Sequence, residues 1–118
     1  QDPCRLSRVG KTAVGGAELP RKLLQRLQPK AYREMADSGV SALCCGNCAW
    51  TGCDAYSKAL QVKRLRQARE TGSDLLVTAC PKCQIHLRCA MEDPFCGDEI
   101  RMEMQDLATV LARTIHWK

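Results

Sequence analysis

Cysteines are the residues of this chain whose spacing most clearly indicates chemistry. Five of the nine stand at three places: alone near the start, as an adjacent pair before a glycine, and as a Cys-x-x-Cys pair. They are Cys4, Cys44, Cys45, Cys80 and Cys83. Adjacent cysteines are poor partners for each other because their disulfide torsion would be strained, and a Cys-x-x-Cys turn presents two sulfurs to one acceptor. The pattern therefore indicates thiolates that share one metal centre.

The cysteine content, nine in 118 residues, also raises the alternative of a small secreted protein held by disulfides. Three features disfavour that class: the count is odd, the spacings include Cys-Cys and Cys-x-x-Cys, and a chain of this length can bury a core without cross-links. The sequence shows no signal peptide and no apolar run of about 18 residues. It therefore favours a cytoplasmic protein, and the start at Gln1 without Met leads us to expect a domain taken from a longer polypeptide.

The net charge of +5 comes largely from one predicted helix. Its basic residues are Lys58, Lys63, Arg64, Arg66 and Arg69. No aromatic residue is interleaved with them, and lysine and arginine commonly cover the outer face of an amphipathic helix. We therefore interpret this run as a solvated face and expect no nucleic-acid binding; an acidic protein partner is the alternative for this surface.

Alternating helix and strand patterns indicate the elements that position the cysteines. Pro20 and Pro81 stand where helices begin, Gly72 ends a long helix, and Asp106 is placed to cap the last one. The stripe of the long helix is Ala55, Ala59, Val62, Leu65 and Ala68. The predicted helices are 20–28, 54–71, 81–91 and one after Asp106; the predicted strands are 31–36, 40–43, 74–78 and 100–104. This order indicates a single α/β domain over residues 1–118, with a small, mainly parallel sheet and flanking helices.

The cysteines follow the ends of these predicted strands. One comes after an extended start of the chain, the adjacent pair ends strand 40–43, and the Cys-x-x-Cys pair comes after strand 74–78. Ligand sites in parallel sheets form beyond the carboxyl ends of the strands. We therefore expect all five sulfurs at that edge of the sheet.

Two kinds of metal centre agree with this spacing. Zinc could be held by Cys45-x-x-Cys48 and Cys80-x-x-Cys83, but that set leaves Cys4 and Cys44 unexplained. Thiolates are also the normal ligands of iron-sulfur clusters, in which several irons can use more than four of them. The spacing favours an iron-sulfur cluster and leaves zinc open.

Three stretches resemble the landmarks of a known family. They are Asp2-Pro3-Cys4-Arg5, Leu43-Cys44-Cys45-Gly46 and Val77-Thr78-Ala79-Cys80-Pro81-Lys82-Cys83, and in order and interval they are similar to the cysteine-rich CCG domain. This family includes heterodisulfide reductase catalytic subunits, iron-sulfur subunits of glycolate and lactate oxidation, and a subunit of some succinate:quinone reductases. The resemblance spans essentially the whole chain.

The resemblance implies a cofactor and a ligand set. In the heterodisulfide reductase subunit, the motif implies a noncubane 4Fe-4S cluster held by five cysteines, with two such domains flanking the disulfide substrate. Transferred residue by residue, the ligands here are Cys4, Cys44, Cys45, Cys80 and Cys83. The implied activity is one-electron reduction of a disulfide by a heterodisulfide reductase-like oxidoreductase, with no activity in the isolated domain.

The resemblance also implies partners. We expect a second CCG domain, ferredoxin-like clusters and a flavin or membrane redox subunit, so that a cytoplasmic domain reaches the membrane through its partners. One alternative is an electron-relay domain of a hydroxy-acid or succinate oxidoreductase. The other is a zinc-binding structural or docking module.

The chain departs from the family pattern after Cys-Cys-Gly. Many members continue with glycines, whereas Asn47-Cys48-Ala49-Trp50 occupies this loop here, which makes Cys48 a possible substitute ligand. Trp50 is a candidate wall of a substrate cleft. Arg5 and Arg8 flank the first ligand and are candidates to receive an anionic substrate group.

The remaining cysteines and one histidine have plainer interpretations. Cys53 is interpreted, like Cys48, as a buried or spare thiol with a ligand role as the alternative. Cys89 and Cys96 are expected to be structural, and His86, one turn after Cys83, is expected to pack rather than bind metal.

Overall fold

Four α-helices and two strands organise the described part of the chain. The computed structural model describes residues 1–9, 16–27, 30–46 and 54–115. In chain order the elements are α1 (Glu18–Leu27), α2 (Ala55–Glu70), β1 (Leu75–Thr78), α3 (Pro81–Met91), β2 (Glu103–Asp106) and α4 (Leu107–Ala112). Short helical turns occupy Arg5–Val9, Gly39–Ser41 and Asp98–Ile100. None of the helices in these ranges is long and apolar enough to cross a membrane.

Helix α2 has the start and stop signals expected from the sequence. The Asp54 carboxylate accepts a hydrogen bond from the Ser57 backbone N–H at 2.7 Å, which satisfies a donor that has no partner within the helix. Beyond its last residue, Gly72 has a φ of +71°, which glycine adopts without strain. The predicted helix 54–71 is confirmed.

The other helices also follow their local signals. Helix α3 begins at Pro81, as predicted, because proline needs no N–H partner at that position. The Asp106 carboxylate caps α4 by accepting from the Ala108 N–H at 2.7 Å. Helix α1 begins at Glu18, two residues before the predicted start, with Pro20 in its first turn.

The two strands form a parallel pair that makes the domain α/β. Leu75 lies opposite Glu103, and Thr78 opposite Asp106. Strand β1 was predicted at nearly this position, whereas β2 begins later than the predicted 100–104 because 98–100 form a helical turn. The α/β class with a small parallel sheet and flanking helices is confirmed.

The predicted strands 31–36 and 40–43 are wrong. Residues 39–41 form a helical turn, and neither stretch pairs with a described strand. Backbone groups of residues 37–42 bind side chains instead: Arg8 donates to the Val40 and Ala42 carbonyls, and Arg64 donates to the Asp37 carbonyl. Gly39 N–H donates to the Asp2 carboxylate at 2.8 Å. These side-chain bonds take the place of a strand ladder.

The core of the domain continues into the cysteine region. Its buried side chains come from α2, β1, α3, β2 and the helical turn before β2, and each leucine, isoleucine or methionine among them contributes roughly 1.5–3 kcal/mol by leaving water. They are Leu65, Ala68, Leu76, Leu87, Ala90, Met91, Ile100 and Met104. Cys45 and Cys83 belong to the same buried cluster, so the cysteine loops rest directly on the core.

Candidate metal centre

The Cys-x-x-Cys pair is positioned by the junction of β1 and α3. Cys80 is the N-cap residue of α3, and its N–H donates to the Thr78 hydroxyl at 3.3 Å. Cys83 lies in the first turn of α3 and is 1 % exposed. A helix N-terminus carries partial positive charge, which favours thiolate over thiol.

Cys83 contacts two other cysteines, Cys45 and Cys80. The pKa of Cys83 is raised, first by its interaction with the Cys45 thiol, then by burial, and further by Cys80. Cys45 is itself buried. Thiolates so close repel one another, and a metal cation between them would remove that penalty. The arrangement therefore suits a centre bound by deprotonated sulfur.

Glycine is needed where the Cys-Cys-Gly loop meets α2. Gly46 has a φ of +84°, and a Cβ there would stand 2.6 Å from the Ser57 carbonyl oxygen and 2.9 Å from Gln61 Cγ. Any side chain at Gly46 would push the loop off the helix. This close approach brings the adjacent Cys45 into the core.

Gln1 joins all three cysteine landmarks. Its α-amino group donates to the Val77 carbonyl at 2.7 Å, three residues before Cys80. Its side-chain amide donates to the Leu43 carbonyl at 3.2 Å, directly before Cys44.

Asp2 fixes the first landmark to α1. Arg21 donates to both of its carboxylate oxygens, at 2.6 and 2.8 Å, and the Gly39 N–H donates to one of them. Burial alone would raise the pKa of Asp2, but these donors outweigh it and the pKa is lowered. Arg21 also bonds Glu34, so Asp2 is held by a network.

The other two proposed ligands are less buried than Cys45 and Cys83. Cys4 is exposed and Cys44 is half-buried. Within the described ranges, no group of three or more Cys, His, Asp or Glu side chains has the arrangement of a complete metal site. In these ranges, Cys83 contacts Cys45 and Cys80. Cys48 lies outside the described residues.

The substrate-contact candidates have mixed outcomes. Arg8 is committed to backbone carbonyls of the 40–42 segment, so its predicted role toward a substrate anion is replaced by a structural one. Arg5 is exposed. Trp50 and Cys53 lie outside the described residues.

The remaining sequence candidates lie on α3 and in the segment that follows it. Cys89 Sγ is 3.3 Å from the Lys58 ammonium, and Cys96 packs against the core. His86 is half-buried on α3. None of the seven cysteines in the described ranges forms a disulfide.

Arg64 is the residue that sequence reasoning misplaced. It was assigned to the solvated face of α2, but it is 0 % exposed. The buried face of α2 is Ser57, Gln61, Arg64, Leu65 and Ala68, whereas Ala55 and Ala59 of the predicted stripe are exposed. The spacing of four, three and four through Ser57, Gln61, Arg64 and Ala68 was the signal that could have revealed it.

A cavity of about 480 Å³ lies beside β1. Among its lining residues are Leu24 of α1, Met35, Val77 of β1 and Val110 of α4. No cysteine of the described ranges lines it, but Pro3 and Ala79, the direct neighbours of Cys4 and Cys80, do, so the cavity borders the first and third landmarks.

Comparison with known proteins agrees with the three landmarks. The family model of the cysteine-rich CCG domain matches residues 1–88. A fumarate reductase (CoM/CoB) subunit of Methanothermobacter marburgensis is 31% identical over 108 residues, which is 90% of this chain and 21% of that protein. A dihydromethanophenazine:CoB–CoM heterodisulfide reductase subunit of Methanosarcina barkeri is 33% identical over 88 residues, which is 73% of this chain and 20% of that protein.

The chain thus spans about a fifth of the length of these relatives. No solved structure matches it at a comparable level of significance. The family match covers all three landmarks and most of the described fold. The chain belongs to the cysteine-rich CCG domain family.

Proposed function

We propose that this chain is the iron-sulfur domain of a heterodisulfide reductase-like oxidoreductase, in which it serves the one-electron reduction of a disulfide. The ligands of a noncubane 4Fe-4S cluster would be Cys4, Cys44, Cys45, Cys80 and Cys83. The observation that carries the proposal is the buried contact of Cys83 with Cys45 and Cys80. The reductase subunits among its relatives support the same assignment.

The donor chemistry of the site supports iron-sulfur ligation. Cys45, Cys80 and Cys83 offer sulfur as their metal-binding atom, and cysteine sulfur is the usual ligand of iron-sulfur clusters. Two positive features accompany Cys83: the start of α3, in whose first turn it lies, and Arg64, which interacts electrostatically with it. Such an environment stabilises a centre of net negative charge.

The chain's own residues would orient and seal the centre. When bound, the cluster would supply one-electron chemistry next to the disulfide. Gly46 lets the Cys-Cys-Gly loop rest on α2, and the Asp2–Arg21 pair holds the first landmark in place. Burial of Cys45 and Cys83 excludes water from that side.

The proposal includes partners and a location. The relatives are subunits roughly four times as long as this chain, which supports a domain that works beside a second CCG domain and ferredoxin-like, flavin or membrane redox subunits. The domain would lie in the cytoplasm and meet the membrane through those subunits. Without them the purified 118-residue chain should bind its cofactor but not reduce disulfides with soluble donors.

One observation supports each of two alternative functions. The name fumarate reductase of one relative favours an electron relay in dicarboxylate or hydroxy-acid chemistry. The Cys45-x-x-Cys48 and Cys80-x-x-Cys83 pairs favour a zinc-bound docking module.

Analysis of anaerobically prepared chain separates these functions. Iron and acid-labile sulfide in equal amounts, about four each per chain, with visible absorption, support the cluster. Colourless protein with one zinc per chain would replace it by the docking module. An electron paramagnetic resonance signal altered by CoB–CoM heterodisulfide, but not by fumarate or lactate, would favour disulfide chemistry over the relay.

A further inference from the structure

Arg64 is a buried cation whose hydrogen bonds all end on neutral acceptors. Its Nε donates to the Gln1 side-chain oxygen. Its Nη1 donates to the Asp37 carbonyl at 2.6 Å and to Gln67 Oε1 at 2.8 Å. Within the described ranges, its Nη2 is buried and has no hydrogen-bond partner. A buried charge in this state is expensive unless an anion compensates it.

The nearby carboxylates are engaged elsewhere. Asp2 is held by both terminal nitrogens of Arg21 and by the Gly39 N–H. The Asp37 carboxylate accepts from Gln67. Both attract Arg64 from a distance, but among described residues neither forms an ion pair with it. Glu34 also attracts Arg64, and its carboxylate accepts from Arg21 and Tyr32.

The cysteine centre is a further source of negative charge near Arg64. Arg64 and Cys83 interact electrostatically. Gln1, which accepts from Arg64 Nε, also bonds the carbonyls of Leu43 and Val77 in front of the two cysteine pairs. Arg64 therefore contacts Gln1, the residue that bonds the segments before both cysteine pairs.

We propose that Arg64 is a positioning residue of the cysteine centre, in which its fixed positive charge compensates the thiolate sulfurs. This inference rests on the proposed metal-binding function. The centre gains one negative charge on one-electron reduction, and a nearby cation stabilises that form. Arg64 therefore raises the reduction potential, and it strengthens binding of any cation that needs deprotonated sulfur.

The test compares charge-removing and charge-keeping variants of the full chain. Arg64→Met removes the charge at similar length, Arg64→Lys keeps it, and Arg66→Met is the matched control. Arg66 lies on the same helix, but its side chain is 60% exposed and it pairs with Glu99. A redox titration followed by electron paramagnetic resonance gives the midpoint potential, and Co²⁺ titration of the metal-free chain gives thiolate-metal affinity.

We expect Arg64→Met to lower the equilibrium constant for one-electron reduction about tenfold, which is a shift of about 59 mV to more negative potential. Its Co²⁺ affinity should fall by about the same factor. Arg64→Lys and Arg66→Met should remain close to the wild type in both measurements. A purely structural role would lower thermal stability without moving the potential or the Co²⁺ affinity.

Each result decides the inference. If Arg64→Met and Arg66→Met give equal potentials and equal Co²⁺ affinities, Arg64 does not act on the centre. If the wild type binds zinc and no iron, the proposed redox function fails while the Co²⁺ comparison still decides the role of Arg64. If Arg64→Met does not fold, Arg64→Gln replaces it; if Arg64→Lys also fails to fold without metal, the residue is structural and the inference is overturned.

Discussion

Replacing Gly46 by alanine should loosen the Cys-Cys-Gly loop from helix α2. The positive φ of +84° would cost alanine about 1–2 kcal/mol. The new Cβ would also stand 2.6 Å from the Ser57 carbonyl oxygen, a backbone atom that cannot simply rotate away. Forcing such a contact apart costs about 1–3 kcal/mol, so we expect a total loss of about 3 kcal/mol in the free energy of unfolding.

Gly72→Ala is the matched control. Gly72 also has a positive φ, +71°, but nothing lies within 4 Å of its Cβ position. Gly72→Ala should therefore lose only the cost of the positive φ, about 1–2 kcal/mol of the free energy of unfolding. The difference isolates the close approach of loop and helix.

Urea unfolding of the metal-free chains measures these losses. A domain of this size is stabilised by about 6–18 kcal/mol, so both variants should remain folded. The unfolding midpoint of Gly46→Ala should lie about 1 M urea below that of Gly72→Ala. The Gly46 variant alone should also lose bound iron. Equal midpoints and equal iron contents would refute the reasoning that the glycine holds the cysteine loop on α2.

Three further predictions concern the first landmark and the ligand set. Asp2→Asn should lower the free energy of unfolding in urea by about 2 kcal/mol, because Arg21 loses its bidentate partner and keeps Glu34 and the Ala17 carbonyl; an unchanged midpoint would show that the pair is not stabilising. The lowered pKa of Asp2 means that its contribution is present above the unfolded carboxyl pKa of about 4 and is lost as the pH falls through the folded pKa. Wild type should therefore lose more stability than Asp2→Asn on acidification, as a pH series of melts would show. Cys83→Ser should abolish iron binding whereas Cys96→Ser leaves it nearly intact; equal iron loss would make Cys96 a ligand.

Helix boundaries could be predicted because their signals are local. Asp54, Pro81 and Asp106 cap or start helices through groups within three residues of themselves. The structure of the segment before the Cys-Cys-Gly loop, where the sequence predicted two strands and none forms, could not be predicted. Arg8 and Arg64, distant in sequence, take up the carbonyls of that segment, and no local pattern encodes such partners.

The candidate site was predictable where chemistry sets the spacing. The Cys-Cys-Gly and Cys-x-x-Cys patterns predicted one shared site, and the structure brings Cys83 into contact with Cys45 and with Cys80. The supporting face of α2 was not predictable from hydropathy, because Ser57, Gln61 and Arg64 are polar residues in buried positions. Apolar periodicity instead favoured alanines that are exposed.

Alkylation of Cys4 tests the shared metal centre most directly. Cys4 is exposed, so burial does not protect it, and protection in the loaded protein would have to come from metal coordination. Labelling under anaerobic conditions, with peptide mapping before and after chelation, gives its rate beside that of Cys96. We predict that Cys4 is protected in the iron-loaded chain and labels rapidly once the metal is removed. Equally fast labelling of Cys4 in both states would contradict a centre that joins all three cysteine landmarks.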